Sequence, residues 1–72
     1  MKNSFAGELI EQLIDCGTTE VSLFENLDNE LVALLKCGNS FTIIQNNTYT
    51  GKTTTIHFDE VETEHLKKFI QQ

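Results

Sequence analysis

Residues 31–44 read LVALLKCGNSFTII, two apolar runs rich in β-branched and aromatic residues on either side of Gly38-Asn39. A Gly-Asn pair in that setting marks a two-residue hairpin turn. With those residues at the tip, Leu34 faces Ile43 and Ala33 faces Ile44 across the pair of strands.

Working outward, the same alternation between Asn, Asp and Gly boundaries predicts four strands at about 20–25, 30–36, 40–46 and 53–58. A Thr50-Gly51 turn pairs Ile43 with Phe58 and Ile44 with His57, and an Asn46-Asn47 turn gives the same facial parity. A four-residue loop from Asn26 to Asn29 pairs Leu23 with Val32 and Phe24 with Leu31. Together these turns place Val21, Leu23, Val32, Leu34, Phe41, Ile43, Ile56 and Phe58 on one face. The other face carries Phe24, Leu31, Ala33, Leu35 and Ile44 beside Thr42, Thr53, Thr55 and His57.

Helices flank this block. From Phe5 the apolar residues fall at 5, 6, 9, 10, 13 and 14, one helical face, with Ser4 as N-cap and Gly17 as the left-handed stop. Glu8, Glu11 and Asp15 lie within about 60° of one another on the opposite side, at 100° per residue. A second helix opens at Asp59 with Glu62 completing a capping box, carries Val61, Leu66, Phe69 and Ile70 as its apolar arc, and sets Glu64 to pair with Lys67 and Lys68. The expected fold is α+β: an αββββα two-layer sandwich in one domain, residues 1–72, its four-stranded meander covered by both helices on the first face. The second face then lies open, an apolar area of the kind that marks an interaction site, unless one helix crosses to bury it as a second small core.

The charge is segregated. Glu8, Glu11, Asp15, Glu20, Glu25, Asp28 and Glu30 occupy residues 3–35 without one Lys or Arg, while residues 37–58 hold no carboxylate and only Lys52. Five Lys and no Arg against eleven acids, a net charge of −6, repel phosphate. That excludes a direct nucleic-acid binder resting on basic residues and makes a basic protein surface the natural partner. The alternative reading of the carboxylates is a solvated face that keeps a small protein soluble.

No constellation points to catalysis, a cofactor or a metal. Gly51-Lys52-Thr53 resembles the end of a phosphate-binding loop, but position 46 is Asn where that loop needs Gly, and residues 53–56 read as strand where it needs a helix. Cys16, Cys37, His57 and His65 lack the short spacings of structural zinc sites. No apolar run spans a membrane, and the start Met1-Lys2-Asn3-Ser4 carries no secretory block, so the expected location is cytoplasmic with both thiols reduced.

The helix, antiparallel sheet, helix order is similar in outline to the double-stranded-RNA-binding domain. That family meets phosphates with lysines at the start of its second helix, where this chain has Asp59, Glu60, Glu62 and Glu64, so its activity does not transfer. In size and acidity the chain resembles small acidic inhibitors of phages and mobile elements, anti-CRISPR proteins among them, some of which mimic phosphate rows. That resemblance implies a non-enzymatic inhibitor or adaptor. The expected partner-binding residues are Glu8, Glu11, Asp15, Glu20, Glu25, Asp28 and Glu30, with Phe24, Leu31, Leu35 and Ile44 on the open face. A homodimer packing through that face is the alternative.

Overall fold

The computed structural model describes residues 4–72; Lys2 and the rest of the chain start lie outside the described residues. The elements run α1 (Ser4–Asp15), β1 (Glu20–Glu25), β2 (Leu31–Cys37), β3 (Ser40–Asn46), β4 (Thr53–Phe58) and α2 (Glu60–Ile70). The strands form one antiparallel meander, β1-β2-β3-β4. This is the α+β αββββα order that the sequence predicts.

The helix signals act as expected. Gly17, just past α1, is left-handed at φ 59°. At α2 the Asp59 carboxylate accepts from the Glu62 backbone N–H (2.8 Å) while the Glu62 side chain accepts from the Asp59 N–H (2.9 Å), the reciprocal capping box.

Turn chemistry sets the register. Gly38, at φ 63°, and Asn39 form the β2–β3 turn, and Leu34 pairs with Ile43 and Ala33 with Ile44. Between β3 and β4 the loop is closed by Asn47 N–H to the Lys52 carbonyl (2.9 Å) and Gly51 N–H to the Asn47 carbonyl (2.7 Å). The Asn47 side-chain oxygen accepts from the Tyr49 and Thr50 N–H groups. Ile43 therefore pairs with Ile56, and Ile44 with Thr55, two residues from the expected pairing; an even shift leaves the faces unchanged.

The β1–β2 loop departs by one residue, and the consequence is larger. Asn26 N–H bonds the Glu30 carbonyl (3.1 Å), leaving a three-residue loop of Leu27, Asp28 and Asn29, with Asn29 left-handed at φ 62°. The Asn26 side-chain oxygen ties it by accepting from the Asp28 and Glu30 N–H groups. Leu23 now faces Ala33, and Phe24 faces Val32. The odd shift turns β1 over: Val21 and Leu23 join the face of Ala33, Leu35 and Ile44, and Phe24 joins the opposite one.

Each sheet face receives one helix, which corrects the expectation that both helices share a face. On α1's side, Phe5 and Leu9 pack with Leu31, Ala33, Leu35 and Ile44, the last three fully enclosed. Thr42, also enclosed, hydrogen-bonds His57 Nδ1 (2.9 Å), and buried Asn46 donates to Thr53 Oγ1 (2.9 Å). On the other side, Phe41 and Phe58 stack with centroids 4.6 Å apart. Buried Thr63 of α2 donates to the Phe58 carbonyl (3.3 Å), and Leu66 and Ile70 face Leu34 and Phe41. The reason is energetic: the sheet has two apolar faces, and enclosing a Leu or Ile is worth about 1.5–3 kcal/mol per side chain.

Candidate interaction surface

The first helix carries three longitudinal stripes. Phe5, Leu9, Gln12 and Cys16 look inward. Glu8, Glu11 and Asp15 fall about 60–130° to one side of that stripe, and Leu13, Ile10 and Ile14 fall to the other. The last three are 37, 56 and 76 % exposed, because the helix turns its more aromatic edge, not the centre of its apolar arc, onto the sheet.

Handedness decides what each flank overlooks. Phe5 sits at the Leu31 end of β2, and Cys16 lies close to Cys37 and Thr42 at the other end, so α1 runs in the direction of β2. The Asn26–Glu30 bond makes even-numbered β2 residues bond toward β1, and odd ones, which face α1, toward β3. For L-residues and a right-handed helix, that combination turns Ile10 and Leu13 toward β1 and the carboxylates toward β4.

The seven expected acidic residues divide accordingly. Glu8, Glu11 and Asp15 form the outward flank, Glu8 accepting from Gln12 (3.2 Å). Among the described residues the one ion pair joins Glu20 to Lys36 (3.7 Å), both exposed, so the α1 carboxylates have no basic partner there. Glu25 ends β1 and Asp28 sits at the loop tip, both exposed. Glu30 is different: its carboxylate accepts from Asn26 Nδ2 (2.9 Å) and from Gln45 Nε2. These two donors, Asn26 first, hold its pKa below the usual carboxylate range. Glu30 staples the hairpin and stays ionised while doing so.

Of the apolar residues expected to dock, Leu35 and Ile44 are core: α1 lies on them and both are fully buried. The face expected to lie open is therefore covered by α1, which leaves Leu35 and Ile44 no surface with which to dock. Leu31 is half-buried against the core, and Phe24 is 45 % exposed on α2's side.

What is exposed instead is an edge. All six residues of β1 are exposed, with Val21 at 44 % and Leu23 at 60 %. On α2's side a groove of about 410 Å³, bordered by Ser22, Leu34, Phe41, Leu66 and Ile70, opens beside it. Leu27 and Tyr49 stand out from adjacent loops, linked by Thr48 Oγ1 donating to the Asn29 carbonyl (3.5 Å). A lone large apolar residue within each Asn- and Thr-rich loop was the available sequence signal for these two.

The remaining reactive types are accounted for locally. Cys16 donates to Gln12 Oε1 (3.3 Å), and burial, followed by the neighbouring Cys37, pushes its thiol pKa up. Such a thiol stays protonated near neutrality. Cys37 lies 3.7 Å from Thr18 Oγ1. Gly51, at φ 75°, leads directly into β4, so Gly51-Lys52-Thr53 is turn and strand with no helix behind it to hold a phosphate. Among the described residues no helix is long and apolar enough to cross a membrane.

No family model, curated protein or solved structure matches this chain.

Proposed function

We propose that this protein is a non-enzymatic acidic interaction module, of the inhibitor or adaptor kind, that binds a basic protein surface in the cytoplasm through the outer flank of α1. The observation that carries this reading is the stripe of Glu8, Glu11 and Asp15, projecting on the β4 side of the helix with no cation within ion-pair distance among the described residues. A same-sign row on a rigid helix costs self-repulsion and is suited to steering and orienting a basic partner. The resemblance in size and charge to small acidic inhibitors of phages and mobile elements, including nucleic-acid mimics, supports the same reading. Capture from a lysate at low and at high salt, beside a Glu8→Gln, Glu11→Gln, Asp15→Gln variant, tests it. A basic protein should be retained at low salt by the wild type alone; identical captures by both proteins would overturn the assignment.

A further inference from the structure

The two sheet edges are built differently. Strand β4 presents Thr53, Thr54, Thr55 and His57 and lies against α2. Strand β1, EVSLFE, is exposed along its whole length; like β4 it contains neither Pro nor Lys, and its charged residues, Glu20 and Glu25, stand only at its ends, leaving residues 21–24 without a device that keeps a free edge from pairing. Its even-numbered residues bond toward β2, as the Asn26–Glu30 bond shows, so Val21 and Leu23 aim N–H and C=O outward.

We infer that a second copy of this chain occupies that edge, β1 pairing antiparallel with β1 to make a continuous eight-stranded sheet. A two-fold axis normal to the sheet keeps each face on its own side, so only residues of the same parity can pair. Of the near-central registers, one sets Ser22 against Ser22 and Val21 against Leu23 of the second copy, forming four backbone hydrogen bonds through the outward groups. Of its two neighbours, one sets Val21 against Glu25, and the other sets Leu23 against Thr19, outside the strand. The chemistry selects the first, which also puts Glu20 opposite Phe24 and leaves no carboxylate directly facing another.

The flank of α1 overlooking β1 adds Ile10 and Leu13 to Val21 and Leu23 on one face, and Phe24 flanks the same edge from α2's side. At about 200 Å² for each fully exposed large side chain, these five present on the order of 500 Å² per chain. That falls below the roughly 800 Å² per partner of a standard interface and places this dimer among the weaker, reversible ones. The carboxylate flank of each α1 points away from the axis, so this dimer is independent of the proposed acidic site and compatible with it.

Sedimentation across about 10 μM to 1 mM tests the inference. The wild type should pass reversibly from monomer to dimer, and more readily at higher salt, since copies of charge −6 repel one another; binding to a basic partner has the opposite salt dependence. Leu23→Lys, at an exposed position, should weaken association at least about tenfold, the scale of one like-placed edge charge, while Thr55→Lys on the β4 edge leaves it unchanged. Ser22→Cys should give a covalent dimer on mild oxidation with diamide, because non-hydrogen-bonded partners stand about 4.5 Å apart, within disulfide reach. A wild type monomeric throughout, or association lost with Thr55→Lys and kept with Leu23→Lys, would overturn it.

Discussion

Ala33 and Ile44 sit directly opposite one another on β2 and β3, and neither exposes any surface. Around this pair Leu35 and Thr42 are equally enclosed, so the centre of the molecule lies between the sheet and α1. Leu35→Ala or Ile44→Ala should lose about 2–5 kcal/mol by leaving a cavity, a large share of a small domain's stability. Leu34→Ala, on the half-covered α2 side, should cost less. Urea denaturation of the three variants checks the order. Leu35→Glu should not fold even when dilute, because an unpaired carboxylate would sit where the wild type has no solvent contact.

Much of this architecture was legible beforehand because its signals are local. Gly38-Asn39, Asp59 with Glu62, and Gly17 each act over a few residues, and each does what its chemistry demands. The placement of the helices was not, and neither was the facing of β1, which rests on one loop. Whether residues 26–29 or 27–29 form the β1–β2 connection depends on the Asn26 side chain closing the loop onto the Glu30 N–H, a contact that residue types alone do not fix. Sheet parity in β2, β3 and β4 was read correctly, yet two apolar faces admit either helix, and only packing decides that Phe5 and Leu9 cover Leu35 and Ile44. The carboxylate flank of α1 followed from periodicity. The β1 edge required the absence of a cover over Val21 and Leu23, which belongs to the tertiary structure.

Asn29 holds the register of β1 through its left-handed backbone, φ 62°. Asn29→Gly should be neutral or slightly stabilising. Asn29→Val should cost about 1–2 kcal/mol, since a β-branched residue is strained there. Thermal unfolding separates the two. Equal midpoints for both variants would show that the turn geometry is not what holds the hairpin.

The hairpin staple titrates. Glu30 has its pKa lowered, first by Asn26 and then by Gln45. Its stabilising contribution is therefore complete above the unfolded carboxyl value of about 4.3 and is lost as pH falls through the lower folded value. Glu30→Gln should be less stable than the wild type at neutral pH, and the gap between them should close in the acid range. Urea midpoints of both proteins between neutral pH and about pH 3 provide the check; a gap that persists at the acid end would mean that shape rather than charge makes the staple.

The outer flank of α1 is open to direct substitution because Glu11 and Asp15 are exposed and Glu8, among the described residues, bonds its neighbour Gln12. Changing all three to Gln is isosteric at Glu8 and Glu11, adds one methylene and some helix propensity at the exposed Asp15, and removes like-charge repulsion, so folding should be unimpaired. Association with a basic partner should slow, and its dependence on ionic strength should flatten, because long-range attraction acts chiefly on the encounter rate while dissociation is set by close contacts. The same variant should dimerise somewhat more strongly than the wild type, since its copies repel less. Association rates by biolayer interferometry over a salt series, paired with sedimentation of the free protein, measure both effects. Unchanged association kinetics at low salt would reduce the stripe to a solubility device, whatever the dimer does.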